Sequence, residues 1–307
     1  MAKELLTVFG ATGKQGGALI RHVLNTPTLA SKFTLRGISR DTSKSAAQAL
    51  SNAGVDMVQA DLNDPSTLDR AVAGSHIVFA VTDYWVQALP QVEVAQGKAI
   101  ADAAVAAGVQ HLIWSSLPSI SKLTDGRVKT IHHFDSKAEV ETYIRGLDIG
   151  SIFFAPGWFM SNHLESFRPQ PVGNDTYILV LPWSSATRLP LIDVRDTGKF
   201  LAPVLLNPKR YHGKSLTCAT AYYSLAQMVE VWSKVTGKTV MCKTLGVDIP
   251  FSEVPEEHRP LLESLASIQE LGYYGPSGPA DLAWTLSQLS EKLGTWEDFV
   301  KDQEPWF

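Results

Sequence analysis

In the stretch HHFDSKAEVETYI, His133 and Lys137 stand four residues apart. On a helix that spacing puts both side chains on one face. At about 100° per residue, Val140, Tyr143, Ile144 and Leu147 fall with them in an arc about 120° wide, while Glu139, Thr142 and Arg145 lie elsewhere. The lysine therefore shares the face that packs, and an ammonium there is costly without a partner. A histidine can act as a general acid near neutral pH, although the neighbouring ammonium disfavours its imidazolium. Ser115 and Ser116 close the apolar run HLIWSS, and Ser116 is the third candidate for proton chemistry. The plainer alternatives are a lysine snorkelling at a rim and a histidine that only lines a cleft.

A second cluster suggests the ligand. VFGATGKQGG sets Gly10, Gly13 and Gly16 in a G-x-x-G-x-x-G array between an apolar run and a helical segment, with Thr12 and Gln15 among them. Glycines there permit a tight turn, and the helix start offers N–H groups and a positive dipole end to a pyrophosphate. A lone glycine triplet is weak, but this one opens an alternating strand–helix pattern. The next strand closes GISRD, with Ser39 and Arg40, and Lys44 follows. A guanidinium suits a 2′-phosphate, whereas an acid would repel it; Asp41, one step later, is the contrary signal. NADP(H) is therefore the expected cofactor. Asp61 and Leu62 are expected to line its adenine, and Thr82, Tyr84, Pro156 and Asn162 complete the expected contacts. Nicotinamide-ribose hydroxyls would then be the partner for Lys137. Tyr84, Trp85, Trp158, Phe159 and Met160 are expected to line an apolar substrate pocket, with packing between lobes as the alternative. Asp193 and Asp196 lie at a strand-to-helix boundary, where Asp196 reads as a helix cap.

These residues need elements to hold them. LLTVFG, FTLRGISR, VDMVQAD, HIVFAVT, HLIWSS and GSIFFAP alternate with helical segments. Near-continuous apolar runs suit strands covered on both faces, and the alternation argues a parallel sheet between helices. The expected class is α/β: a Rossmann-type doubly wound parallel sheet with a smaller C-terminal α/β lobe. Residues 1–156 form the dinucleotide domain, 187–220 return to it, and 157–307 are mostly a substrate or partner lobe.

Composition narrows the function. A formal net charge of −4 gives no electrostatic reason for direct nucleic-acid binding. Cys218 and Cys242 have no metal-type spacing and are too few for a disulfide framework, and no metal site is expected. No secretory signal pattern opens the chain, and no run has the roughly 18 apolar residues of a membrane span. A cytoplasmic location, extending to the nucleus, is the expectation.

Together VFGATGKQGG, VTDYW, EVAQGKAIADAA, HHFDSKAEVE and APGWFMSNHL resemble the NmrA-like family, an atypical branch of the short-chain dehydrogenase superfamily, across nearly the whole chain. The likeness lies nearest its redox-sensor branch. It implies a dinucleotide-binding lobe and a smaller C-terminal lobe, and it implies for Lys137 the ribose-orienting role of the lysine in Y-x-x-x-K, with His133 in the tyrosine's place. Because the family holds both reductases and regulators, two functions are implied. One is an NADPH-dependent oxidoreductase acting on a medium-sized apolar carbonyl, imine or enone. The other is a catalytically weak NADP(H)-sensing regulator with a protein partner. A homodimer is compatible with either.

Overall fold

In the computed structural model, which describes residues 2–266 and 268–307, the apolar runs become strands. They are β1 (Glu4–Val8), β2 (Phe33–Ser39), β3 (Asp56–Gln59), β4 (Ile77–Ala80), β5 (His111–Ser115) and β6 (Gly150–Pro156). Next come β7 (Trp158–Phe159), β8 (Gln170–Gly173), β9 (Thr176–Leu181), β10 (Arg188–Ile192), β11 (Ser215–Cys218), β12 (Ala221–Ser224) and β13 (Thr239–Thr244). The main sheet has seven strands in the order β11-β6-β5-β4-β1-β2-β3, all parallel. Strand order reverses at β1, which lies between β2 and β4. In a doubly wound sheet the crevice outside the carboxyl ends at such a switch point is where a ligand binds.

Helices α1 (Lys14–Asn25), α2 (Pro27–Lys32), α3 (Ser45–Asn52), α4 (Leu68–Val72), α5 (Pro90–Ala106), α6 (Ile120–Leu123), α7 (His132–Ile144) and α8 (Thr197–Leu206) accompany the sheet. Successive strand residues point to opposite faces, and the cores divide accordingly. Ile77 and Phe79 join the core under α1 and α8, while Val78 and Ala80 join the one under α4, α5 and α7. A fully buried phenylalanine such as Phe79 contributes roughly 2–3 kcal/mol by removal from water.

Two contacts set the relation of α5 to α7. A side chain at Gly97 would put its Cβ 2.6 Å from Val140 Cγ2, so only glycine lets the helices come this close. Trp114, fully buried on β5, donates its indole N–H to the Lys137 carbonyl at 3.1 Å. The backbone of α7 is thereby pinned at Lys137.

The remaining strands form two three-stranded sheets, β12-β10-β7 and β13-β9-β8. With α9 (Leu225–Thr236), α10 (Arg259–Ala266), α11 (Ile268–Leu271) and α13 (Trp296–Asp302) they build a second core rich in tryptophan, while α12 (Gly278–Ser287) lies against β11 and sends Leu286 to the main-sheet core. His163 is fully buried there, its ring 5.5 Å from Trp232 and 5.4 Å from Trp296. Trp158 donates to His163 Nε2 at 3.2 Å, so the ring proton sits on Nδ1 and is donated to the Phe167 carbonyl at 3.0 Å. Burial without a counter-charge lowers its pKa to about 4.

Candidate active site

The glycine array follows β1 at the switch point. Gly10 has φ +64°, and a Cβ there would meet Val81 at 2.9 Å. Gly13 donates its N–H to the Gly10 carbonyl at 2.9 Å, closing the turn. At Gly16 a Cβ would stand 2.4 Å from the Gly10 oxygen, so glycine alone lets α1 begin directly on the turn. Gly13 caps α1 without a side-chain hydrogen bond, and no acid occupies the first turn. Thr12, Gly13 and Lys14 are exposed. Uncapped N–H groups at an exposed helix start suit an anion, and the cradle fits a pyrophosphate. Gln15 accepts from Ser115 at 2.8 Å, tying α1 to the end of β5. Lys14 pairs with Glu165 of the second lobe at 3.0 Å.

Beyond β2, Asp41 accepts from the Ser43 N–H at 2.9 Å and its hydroxyl at 2.6 Å. These bonds hold its carboxyl below the ordinary range and commit it to its own turn. Ser39 donates to the Asp41 carbonyl at 3.0 Å. Arg40 and Lys44 are exposed, and neither side chain has a hydrogen-bond or ion-pair partner among the described residues. Both cations thus lie open to solvent beyond the end of β2. Asp61 accepts from the Asn63 N–H at 2.9 Å and shapes the turn after β3, while Leu62 packs on the sheet core.

The partner of Lys137 differs from expectation. Lys137 is 9% exposed, and its ammonium forms an ion pair with Glu93, which is 2% exposed. It also donates to Thr82 Oγ1 at 3.2 Å and to the Thr82 carbonyl at 3.3 Å. Glu93 in turn accepts from Thr82 Oγ1 at 2.7 Å and from the Ser136 hydroxyl. A carboxylate on α5 therefore supplies what ribose hydroxyls were expected to supply. Burial pushes the Lys137 pKa down, and the Glu93 charge opposes that shift.

His133 is half-buried, its ring 5.0 Å from Trp85, 5.8 Å from Tyr84 and 4.9 Å from Phe134. Burial first, then the Lys137 charge, lowers its pKa to about 3. The imidazole is neutral at physiological pH, so no imidazolium stands ready to give a proton. At and above neutral pH, both His133 and His163 are uncharged whether folded or unfolded. As pH falls below 6.5 the unfolded chain takes up protons that the fold refuses. Stability is expected to decline towards pH 4 for His163 and pH 3 for His133, by up to about 1.4 kcal/mol per pH unit each. Urea unfolding from neutrality to about pH 5 checks this, and an unchanged midpoint would count against the neutral histidines.

The other candidates divide between the crevice and the interior. Ser116 is buried, its hydroxyl 3.5 Å from the Leu117 carbonyl. Tyr84 spends its hydroxyl on the Ala88 carbonyl at 3.1 Å, and Trp85, 58% exposed, is the outermost ring. Phe159 is half-buried, whereas Trp158 and Met160 lie in the tryptophan-rich core instead of on a pocket wall. Pro156 is buried at the end of β6, and Asn162 accepts through its carbonyl from Phe167 at 3.0 Å. Asp196 occupies the cap position of α8 but makes no cap bond with its side chain. It accepts instead from the Gly294 N–H at 2.7 Å and pairs with Lys199 at 2.7 Å. Asp193 caps its own turn through the Arg195 N–H at 2.9 Å. Hollows lined by Gln110, His111 and Lys209 open at the amino-terminal edge of the sheet, away from all of these groups.

The glycine turn, the exposed cations and the lysine–glutamate pair thus lie beyond the carboxyl ends of the neighbouring strands β1, β2 and β4. The family model for NmrA-like proteins matches residues 2–300. The chain belongs to the NmrA-like family. Among its NmrA-like relatives, the domain-containing oxidoreductase ptmS of Penicillium ochrochloron is 31% identical, over 77% of this chain and 74% of its own. A Dictyostelium discoideum NmrA-like domain protein is 29% identical, over 78% and 80%. The structure of NmrA, a negative transcriptional regulator, in complex with NADP matches with a TM-score of 0.83 at 23% identity, over 99% of this chain and 96% of that one. Citrobacter triphenylmethane reductase complexed with NADP(H) matches with a TM-score of 0.73 at 19% identity, over 97% and 99%. The NmrA-like fold therefore extends through both lobes. No described helix is long and apolar enough to cross a membrane.

Proposed function

We propose that this NmrA-like protein is an NADPH-dependent oxidoreductase acting on a medium-sized apolar carbonyl, imine or enone. The observation that carries the reading is Lys137, a cation fixed by Glu93 where Thr82 leaves β4, beside the glycine turn that leaves β1. The pyrophosphate would rest on Gly10, Gly13 and Gly16, and the 2′-phosphate would meet Arg40 and Lys44. Lys137 would orient the nicotinamide ribose, with Tyr84, Trp85 and Phe159 bordering the acceptor. When bound, NADPH supplies the hydride. Relatives named oxidoreductases and neighbours that bind NADP or NADP(H) support the same reading.

Neutral His133 argues for acceptors that need no enzyme acid. An iminium ion becomes a neutral amine on taking up hydride, and the enolate left by hydride addition to an enone can take its proton from water, so both rank ahead of plain ketones. NADPH consumption by the pure protein against aldehydes, quinones, enones and cyclic imines tests this, with turnover expected for the enone or imine members. Failure on the whole panel would sink the enzymatic reading. A regulatory reading has its own support in Trp85, Val86 and Leu89, which are 58%, 51% and 45% exposed beside the crevice. It predicts cofactor-dependent capture of a protein partner without turnover.

Cofactor choice has a separate test. Calorimetry is expected to show NADPH binding at least about ten-fold tighter than NADH. Arg40→Ala should erase most of that gap, and an undiminished preference would remove Arg40 from the site.

A further inference from the structure

We infer that Glu93 is a positioning residue for Lys137: it anchors the ammonium so that only the Thr82 contacts are exchanged for ribose hydroxyls when the dinucleotide binds. The inference rests on the cofactor reading above and deepens it. An ammonium has three N–H donors, and all three are engaged here, by Glu93 and by the hydroxyl and carbonyl oxygens of Thr82. A bond to a carboxylate is roughly twice as strong as one to a neutral oxygen. The Thr82 contacts, at 3.2 Å and 3.3 Å, are therefore the ones a ligand can displace. Thr82 stays in place afterwards, because its own hydroxyl donates to Glu93 at 2.7 Å.

The carboxylate itself is built in. Ser136 occupies its second oxygen, which prevents rotation. Glu93 lies in the first turn of α5, where the helix dipole favours an anion. Gly97 is one turn further along the same face, and its missing side chain brings α5 against Val140 on α7. The other charged or titratable groups facing this point are Asp83 and Tyr84 after β4 and His133 on α7, with exposed His132 acting only on His133. Asp83 alone among them could replace the lost charge, and its side chain is committed to capping Trp85 N–H at 3.1 Å.

Glu93→Gln keeps the shape and an acceptor oxygen for Lys137 and Thr82 while deleting the charge; its amide N–H then donates to Ser136, whose hydroxyl is left to the His132 carbonyl at 2.7 Å. Lys137 should then lose its proton at lower pH, so NADPH affinity should be retained in acid and lost earlier as pH rises. Compared with the wild type at each pH, which cancels the titration of NADPH itself, the variant is expected to bind equally near pH 6 and about ten-fold more weakly near pH 8. Glu93→Asp, which keeps the charge but shortens the reach, should weaken binding by the same factor at every pH. A Glu93→Gln profile parallel to the wild type, whether equal or uniformly weaker, would overturn the positioning role. If Glu93→Gln does not fold, an affinity deficit in Glu93→Asp that grows with pH would do so. Two further outcomes separate the levels: if the wild type binds no NADPH the cofactor reading fails, and if Lys137→Met binds NADPH as the wild type does the ribose-orienting role of Lys137 fails, irrespective of Glu93.

Discussion

Replacing Lys137 by methionine is expected to abolish NADPH turnover and to cost the fold about 3–5 kcal/mol. The stability loss follows from what the substitution leaves behind. Glu93 is 2% exposed, and without the ammonium it is a buried charge facing only the Thr82 and Ser136 hydroxyls. Breaking one side of such a pair is worse than removing both, because replacing the whole pair by apolar groups of similar volume is often neutral. The double variant Glu93→Leu, Lys137→Met should therefore recover most of the stability and none of the turnover. Urea unfolding of the wild type, both single variants and the double variant gives the coupling energy directly. A single Lys137→Met variant as stable as the wild type would mean that the buried ion pair does not hold.

The second large effect is expected at Gly16. Its replacement by alanine would drive a Cβ to 2.4 Å from the Gly10 oxygen and 3.0 Å from the Phe9 oxygen. Neither oxygen can retreat, since Phe9 and Ala11 are tied to Phe79 at 2.9 Å and to Ile38 at 3.3 Å through their own N–H groups. Helix α1 must move outward instead, carrying its first-turn N–H groups away from the pyrophosphate. About 100-fold weaker NADPH binding is expected, with about 1–3 kcal/mol of overpacking cost. Gly17→Ala, where the nearest backbone contact would be 3.2 Å from the Ala11 oxygen, should be much milder. Equal losses for the two variants would show that the cradle is not specific to Gly16.

The main sheet was legible because each apolar run is flanked by a helix of opposite periodicity, and parallel pairing leaves few orders for such units. The glycine turn was legible too, since close backbone contact at Gly16 admits no other residue. Glu93 was missed, although its signal is visible: with Gly97, Ile100, Ala101 and Ala104 it follows the helical period of the buried face. A carboxylate on that face should have been matched to the lysine on the packing face of the next helix. Trp158 and Met160 were harder to place, because an aromatic run carries no direction by itself. Their burial depends on β7 pairing with β10, a contact between distant segments. His133 illustrates the same limit. Its low basicity comes from burial, with Tyr84 and Trp85 packed against it from another loop, and no helical spacing encodes that.

The most direct test of the central claim follows the hydride itself. NADPH carrying deuterium at the nicotinamide C4 is incubated with the purified protein and an enone or cyclic imine, and the product is analysed by mass. The expected result is one deuterium per product molecule, transferred from a single face of the nicotinamide and lost in Lys137→Met. Unlabelled product, or NADPH recovered intact with every acceptor, would contradict the assignment of this NmrA-like protein as a reductase.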